Sequence, residues 1–173
     1  LGYNIYRWRS GSIEALTNDA PATLWNTYPV TDGVNVVYRK HTPCCGTRTY
    51  SIAMHDGANE TILTAATVTE PSPGRQYAAA GGYVAYAAED TATAAQIWRR
   101  DSGGEQPLTF FGSSSNIDAI APDGTVLLTN GQKRYRAAPG SALQAIGSSL
   151  GRVIVRDGKF LVLLDRSVLE VGP

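Results

Sequence analysis

The chain alternates between short apolar runs and turns that contain glycine, and this alternation extends over its whole length. Valine, isoleucine, tyrosine and threonine dominate the runs, and these residues favour pleated strands, whereas glycine permits the tight turns between them. No segment shows the 3.6-residue period of an amphipathic helix, and the Ala-rich stretch 91–95 is too short to nucleate one. The pattern predicts an all-β protein. The runs that follow glycine turns are residues 34–38, 83–87, 125–129 and 159–164.

A longer repeat is superimposed on this alternation. Leu-Thr pairs begin at residues 16, 63 and 108, so that they are 47 and 45 residues apart. Each pair is preceded by an isoleucine-containing run and a glycine turn, and an eroded fourth copy covers residues 133–146. A period of about 40 to 47 residues with four short strands is typical of the blades of a β-propeller.

The expected fold is therefore an all-β propeller of about four four-stranded blades, formed by a single segment over residues 1–173. An immunoglobulin-like sandwich is the alternative, but its strands alternate inward and outward residues and it has no long internal repeat. Residues 160–164 are all apolar, as expected for a strand buried between two neighbouring blades. The approximate repeats are 1–47, 48–94, 95–131 and 132–173.

A family resemblance rests on three motifs. They are Ile5-Tyr6 with Leu16-Thr17, Ile97-Trp98 with Leu108-Thr109, and Pro122-Asp123-Gly124 before an apolar strand. In this order they resemble the repeats of TolB-like and related WD-type bacterial β-propellers, over nearly the whole chain. The second and fourth repeats depart from the pattern, and residues 29–33 hold an insertion within the Pro-Asp-Gly turn.

The resemblance also implies an order of strands. In such propellers the Ile-Tyr strand is the third of a blade, the Leu-Thr strand is the fourth, and the Asp-Gly turn joins the first to the second. The chain is then expected to start at a third strand and to end at another near residues 167–171. Because TolB-like propellers resemble rings of roughly six to eight blades, the chain is expected to supply roughly half a ring.

Three ways of completing such a ring remain open. The remaining blades belong to a segment outside this chain, or two copies of the chain associate, or the chain closes on itself as four blades. An unclosed array exposes two apolar blade faces, which favours association. We expect the partner to be the remaining propeller blades or a second copy of the chain.

Charge excludes some classes of partner. Fifteen Lys and Arg residues balance fifteen Asp and Glu residues, so there is no net field to attract nucleic acid or an anionic membrane surface. No apolar run approaches the roughly 20 residues that a membrane helix needs, and no signal peptide is visible. Because the chain begins with Leu1, we expect a mature, trimmed or excised segment. No nucleic-acid binding and no membrane insertion are predicted.

Cys44 and Cys45 are adjacent, between a proline and a glycine that suit a tight turn. They can form a vicinal disulfide, remain free thiols or bond to another chain, and an extracellular setting favours oxidation. A vicinal disulfide can also serve as an apolar platform for a ligand. His41 lies three residues before Cys44, but zinc needs four ligands and the other histidine, His55, belongs to a separate turn. No metal and no cofactor are predicted.

Catalytic motifs are missing from the sequence. There is no Gly-x-Ser-x-Gly elbow, and the glycine pairs lack the Lys-Ser/Thr of a phosphate-binding loop. Asp90, Asp118, Asp123 and Asp157 are expected mainly in turns, where aspartate caps its own backbone. No catalytic residue is predicted, although carboxylates from different blades of a propeller can converge without any spacing signal.

Aromatic side chains are the remaining candidates for a binding site. Trp25 and Tyr28 lie in a loop-like segment and are the first candidates, and Phe110 and Phe111 come next. Arginines near the aromatic residues suit acidic glycans or protein partners. The aromatic residues on predicted strands are expected in the core; they include Tyr6, Trp8, Tyr38, Trp98 and Tyr135.

The function expected from these features is a non-catalytic β-propeller module that binds a protein or carbohydrate ligand. We expect it to be part of a larger secreted or cell-surface protein, either extracellular or periplasmic. The alternative is an accessory or partial catalytic propeller of a secreted polysaccharide-degrading enzyme or peptidase. A pocket rich in charged residues favours the enzyme, whereas an aromatic rim favours binding.

Overall fold

The computed structural model describes residues 3–20, 23–43, 46–71, 74–90, 94–165 and 167–171. All the regular secondary structure in these ranges consists of β-strands, which confirms the predicted all-β class. None of these residues forms a helix that is long and apolar enough to cross a membrane. The strands make five antiparallel sheets.

The strands of each sheet follow one another along the chain. The first sheet contains β1 (Tyr6–Arg9) and β2 (Ser12–Ala15). The second sheet contains β3 (Trp25–Thr31), β4 (Val36–His41), β5 (Tyr50–His55) and β6 (Glu60–Ile62). The third sheet contains β7 (Tyr77–Ala80), β8 (Tyr83–Asp90), β9 (Ala94–Asp101) and β10 (Gly104–Pro107). The fourth sheet contains β11 (Ser115–Ile120), β12 (Val126–Asn130), β13 (Lys133–Ala137) and β14 (Gln144–Ser148). The fifth sheet contains β15 (Arg152–Arg156), β16 (Lys159–Leu164) and β17 (Ser167–Val171).

The sheets are offset from the sequence repeats by two strands. Each approximate repeat covers the last two strands of one sheet and the first two of the next, and the fourth repeat also includes β17. Within their repeat, β1 and β2 take the place that the third and fourth strands of a four-stranded sheet take in the next two repeats, and β17 is the third strand of its own sheet.

Consecutive sheets pack face to face. Four apolar clusters form the core, and each cluster lies between one sheet and the next in chain order. The neighbours Val37 and Tyr38 are both fully buried, because β4 is covered by the third sheet on one face and by the first sheet on the other. A strand covered on both faces needs apolar residues at successive positions, which explains why such strands do not alternate.

The first strands of neighbouring sheets lie next to one another: β3 contacts β7, β7 contacts β11, and β11 contacts β15. The turns after these strands also meet. The Asp32 carboxylate accepts a hydrogen bond of 2.7 Å from the Gly82 N–H. Gly81 has φ +60°, and a Cβ there would lie 2.0 Å from the carbonyl oxygen of Pro122. Only glycine is therefore compatible with this approach between the third and fourth sheets.

The Leu-Thr repeat corresponds to a recurring hydrogen-bonded clamp. In three sheets, a threonine hydroxyl accepts the N–H of an isoleucine twelve residues earlier, at 2.8, 2.9 and 2.9 Å. The leucine before each threonine donates its N–H to the carbonyl of the same isoleucine, at 2.9, 2.8 and 2.7 Å. The pairs are Ile5 with Thr17, Ile52 with Thr64 and Ile97 with Thr109. The clamp fastens the segment after the fourth strand to the third strand.

Candidate functional site

Trp25 and Tyr28 line one cleft of about 560 Å³. The cleft lies at β3, where residues 3–6 approach the second sheet, and the Asn26 N–H donates to the Tyr3 carbonyl at 2.8 Å. We call it the aromatic cleft. Six of its residues matter for the chemistry below: Tyr3, Trp25, Asn26, Tyr28, Arg39 and His41.

A row of rings extends from the cleft into the second sheet. Trp25 starts β3 and pairs with His41 at the end of β4, which places both side chains on one face. The Trp25 ring makes edge contacts with Tyr3 at 5.2 Å and with His41 at 5.7 Å between centroids. His41 in turn contacts Tyr50 at 5.4 Å. Packing on both sides fixes the orientation of the His41 ring.

Tyr28 adopts an unusual backbone conformation. Its φ is +53°, and it lies where the β3–β4 register shifts between Thr27 and Val30. A bulky residue with positive φ is rare and costs about 1–3 kcal/mol. The buried Tyr77 hydroxyl donates a 2.7 Å hydrogen bond to the Tyr28 carbonyl, which helps to hold this conformation. Burial raises the pKa of Tyr77, so this hydroxyl remains a donor at neutral pH. The Tyr28 side chain is 56% exposed.

The guanidinium group of Arg39 lies beneath the exposed Tyr28 ring. Its Cζ is 4.4 Å from the ring centroid of Tyr28 and 5.5 Å from that of Tyr50. Its Nε donates to the Thr27 hydroxyl at 3.0 Å, and its Nη1 forms an ion pair with Glu70. Arg39 thus supports the aromatic wall of the cleft, and its charge is already paired.

Two residues that line the cleft each carry a buried polar atom without a hydrogen-bond partner, namely His41 Nε2 and Asn26 Oδ1. His41 Nδ1 lies 2.9 Å from the Thr42 carbonyl oxygen, so in the neutral ring Nδ1 carries the proton and Nε2 is an acceptor. Asn26 Nδ2 donates to Asp19 at 2.9 Å, whereas its Oδ1 receives nothing. His41 is 4% exposed and Asn26 is 2% exposed.

The other two aromatic candidates lie elsewhere. Phe110 and Phe111 line a groove of about 530 Å³ between the third and fourth sheets, together with Leu108 and Leu143. Phe110 is 81% exposed, whereas Phe111 packs on Tyr135 at 4.9 Å between centroids. The four predicted residues therefore form two separate surfaces.

Tyr6 and Trp8 are not in the core, contrary to the sequence expectation. They lie on β1 and are 62% and 72% exposed. Only one face of the first sheet is covered by the second sheet, through Ile5 and Leu16. The alternation of a strand then places Tyr6 and Trp8 on the opposite, uncovered face.

The disulfide prediction and the metal candidate involve two cysteines and two histidines. Cys44 and Cys45 lie outside the described residues, so the vicinal disulfide stays a prediction. His41 and His55 lie at opposite ends of the β4–β5 ladder, about 17 Å apart at the usual rise of a strand. Within the described ranges, no three His, Cys, Asp or Glu residues come together in a way that could hold a metal ion.

Aspartates mostly cap turns, but two of the four that were expected in turns, Asp90 and Asp118, lie in β8 and β11. Asp123 accepts the N–H of Thr125 at 2.9 Å, and Asp32 and Asp56 accept backbone N–H groups of their own turns. These backbone donors lower the pKa of Asp56. Asp118 instead lies within β11 and binds Arg134 Nε at 2.8 Å. Its position was wrongly expected to be a turn, because its partner is sixteen residues away in sequence.

Sequence reasoning identified Trp25 and Tyr28 but missed Tyr3, Asn26 and His41 as parts of the same cleft. His41 was considered only with the cysteines that follow it. The pairing of His41 with Trp25 depends on the β3–β4 register, and the bulge at Tyr28 shifts that register in a way the sequence does not reveal.

Comparison of the sequence with protein families and with curated proteins finds no match.

Proposed function

We propose that the chain is a segment of a β-propeller that binds a protein or glycan ligand in the aromatic cleft, without catalysing a reaction. One observation carries the binding proposal: Trp25 and the strained, exposed Tyr28 line the same cleft. A strained residue held by a buried hydrogen bond from another sheet is a reason to propose a functional role.

The arrangement of the sheets supports a propeller. Sheets of four strands follow one another in chain order, and the first strands of neighbouring sheets are in contact. In a propeller, the first strand of each blade lies innermost, next to the first strands of its neighbours. The turn contacts at Asp32, Gly81 and Gly82 are all on the side where first strands lead into second strands.

The first and the fifth sheet, at the two ends of the series, each present an uncovered apolar face. On the first sheet, Tyr6, Trp8 and Ile13 point away from the second sheet, and Ile13 is 75% exposed. On the fifth sheet, register and alternation place Ile154, Leu161, Leu163 and Val168 opposite the face that packs on the fourth sheet. We propose that further blades, or a second copy of the chain, cover these faces.

Among the two ligand classes, the geometry of the cleft favours a glycan. Tyrosine and tryptophan side chains supply large, rigid, amphipathic contact surfaces that lose little conformational entropy on binding. Packing on His41 and Tyr3 holds the Trp25 ring, and Arg39 supports the Tyr28 ring from below. The two walls are therefore organised before a ligand arrives, which lowers the cost of binding a flat sugar ring.

Isothermal titration calorimetry against glycans selected on an array tests this proposal. Tyr28→Gly removes the ring and suits the positive φ, so the fold is retained; we expect glycan affinity to fall at least tenfold. The matched control is Phe110→Ala, which removes an exposed aromatic ring outside the cleft and is expected to change the affinity less than twofold. Binding that depends on Phe110 and not on Tyr28 would place the site in the other groove.

A further inference from the structure

We infer that the aromatic cleft selects a neutral saccharide, whose hydroxyl groups donate hydrogen bonds to His41 Nε2 and Asn26 Oδ1. The inference rests on the proposed function and specifies its ligand. It depends on a different observation from the aromatic walls, namely two buried acceptors at the cleft that have no donor.

Both atoms without a partner are acceptors, so a ligand must offer a hydrogen-bond donor to each of them. The proton on His41 Nδ1 is committed to the Thr42 carbonyl, which leaves a lone pair at Nε2. The Asn26 amide is oriented by donation from Nδ2 to Asp19 and Thr17, which leaves Oδ1 as the acceptor. A buried acceptor without a donor is costly, so a ligand that brings donors gains from satisfying both.

Acidic sugars fit this arrangement poorly. A carboxylate offers only acceptors, and its lone pairs would face the lone pairs of His41 and Asn26. Arg39, the cation beneath the Tyr28 ring, is already paired with Glu70 and bonded to Thr27. The sequence pattern of arginines near aromatic residues pointed to acidic glycans, and the contacts of Arg39 argue against that class of ligand at this site.

Amino sugars are also disfavoured. An ammonium group offers donors, but removing its charge from water against two neutral buried acceptors costs far more than burying a hydroxyl group. The aromatic face that could attract a cation is already covered on one side by the Arg39 guanidinium, at 4.4 Å from the Tyr28 centroid. A neutral sugar avoids both conflicts, since its hydroxyl groups are donors without charge and its C–H face suits the Tyr28 ring.

The test is a comparison of oligosaccharides of equal length at neutral pH. The probes are tetrasaccharides of glucose, mannose and galactose, a galacturonic acid tetramer and a glucosamine tetramer, titrated by calorimetry into the full chain. We expect at least one neutral tetramer to bind ten times more tightly than either charged one. Tighter binding of a charged tetramer would overturn the inference and leave glycan binding intact, whereas no binding by any glycan would contradict the proposed function itself.

His41 variants separate a role in recognition from a role in folding. His41→Phe retains a ring between Trp25 and Tyr50 but removes the acceptor, and we expect it to bind the neutral tetramer about tenfold more weakly, the usual worth of one lost hydrogen bond. His41→Gln, which retains an acceptor, should recover much of that loss. His41→Phe removes the unsatisfied Nε2 but also the Nδ1–H donor of the Thr42 carbonyl, and because these two effects oppose each other we expect the melting temperature to change by only a few degrees. Equal affinities of the wild type and both variants would show that His41 does not contact the ligand.

Discussion

At the residue scale, the clamp threonines show how a single hydroxyl organises a sheet. Thr109 is fully buried; its hydroxyl accepts from the Ile97 N–H at 2.9 Å and donates to Gln96 Oε1 at 2.8 Å. Replacement by valine retains the volume but leaves the buried Ile97 N–H without an acceptor and removes one of the two donors to Gln96 Oε1. We expect Thr109→Val to lower the free energy of unfolding by about 2–3 kcal/mol, measured by urea denaturation.

Thr109→Ser is the control for this substitution, because it retains the hydroxyl and loses only a methyl group. It should cost about 1 kcal/mol. A valine variant that is as stable as the serine variant would mean that the hydroxyl contributes little and that the Leu-Thr repeat reflects packing alone.

The sequence predicted these residues to different degrees. The clamps were visible as Leu-Thr pairs because the same geometry recurs at a regular interval. Tyr28 was visible only as an aromatic residue in a loop-like segment. Its positive φ depends on a bulge and on a hydrogen bond from the hydroxyl of Tyr77, 49 residues later. No local sequence pattern predicts such a conformation.

At the element scale, Lys40 ties the second sheet to the segment before it. Its Nζ lies 2.8 Å from Asp19 and 2.6 Å from Glu60. Burial acts to lower the pKa of Lys40, but the two carboxylates raise it overall. Burial likewise acts to raise the pKa of Asp19, and hydrogen bonds from Lys40 and Asn26 lower it overall.

These directions predict how stability depends on pH. The lowered pKa of Asp19 contributes stability above the ordinary value of 3.8, and this contribution is lost as the pH falls through the folded-state pKa. The raised pKa of Lys40 contributes below its ordinary value of 10.5 and is lost as the pH rises through the folded-state pKa. Lys40→Met should therefore lower the free energy of unfolding by about 2 kcal/mol between these two pH limits, and by less outside them. Urea denaturation at a series of pH values measures this difference.

Lys159→Met is the comparison for this prediction, because Lys159 forms a similar 2.8 Å pair with Glu170 on an exposed face. It should leave the unfolding curve unchanged. If Lys40→Met lowers the free energy of unfolding by the same amount at every pH, packing of the side chain, and not its charge, stabilises this junction.

Arg134 joins the fourth and fifth sheets. It is 3% exposed, binds Asp118 through Nε, and donates through Nη1 and Nη2 to the carbonyl groups of residues 149–151 at 2.9 to 3.1 Å. Lysine cannot reproduce this planar set of donors. We expect Arg134→Lys to cost about 3 kcal/mol and to accelerate amide hydrogen exchange in β15–β17 more than in β3–β6.

Arg156→Lys provides the control, because Arg156 is exposed and its nearest carboxylate, Asp157, is 3.7 Å away. It should alter neither stability nor exchange. If Arg134→Lys accelerates exchange uniformly over the five sheets, Arg134 supports the whole core and not the junction between two sheets.

The strands themselves were largely predictable from residue type and turn signals. The run predicted at 159–164 coincides with β16, whereas the run predicted at 34–38 begins two residues before β4, which is Val36–His41. The displaced boundary has a physical cause: the Asp32 side chain accepts N–H groups from Val34 and Asn35 and extends the turn. Side-chain capping of this kind shifts a boundary without changing the strand type.

At the scale of the whole molecule, the uncovered face of the first sheet is the feature with the clearest consequence. Tyr6, Trp8 and Ile13 expose apolar surface that each inner sheet buries against a neighbour. We expect the chain to self-associate in sedimentation velocity experiments at micromolar concentration. The double variant Trp8→Ser and Ile13→Ser should shift the distribution toward monomer.

Val68→Ser removes an exposed apolar side chain away from this face and should leave the distribution unchanged. A wild-type chain that remains monomeric at high concentration would contradict the proposal that a second copy covers the face. The sequence could predict an uncovered face from the number of repeats, but it could not say which aromatic residues lie on it, since that depends on strand register.

Binding of a saccharide at the aromatic cleft beside β3 can be tested directly, because the chain has three tryptophans in different surroundings. Trp25 lines the cleft, Trp8 lies on the uncovered face of the first sheet, and Trp98 packs between the second and third sheets. Their indole N–H signals can be followed separately in a nitrogen-15 NMR titration with the neutral tetrasaccharides, after assignment by single Trp→Phe variants. We expect a neutral tetramer to shift the Trp25 signal and to leave those of Trp8 and Trp98 in place. A saccharide that shifts Trp8 or Trp98 without Trp25, or a full panel that shifts none of the three, would contradict saccharide binding at the cleft.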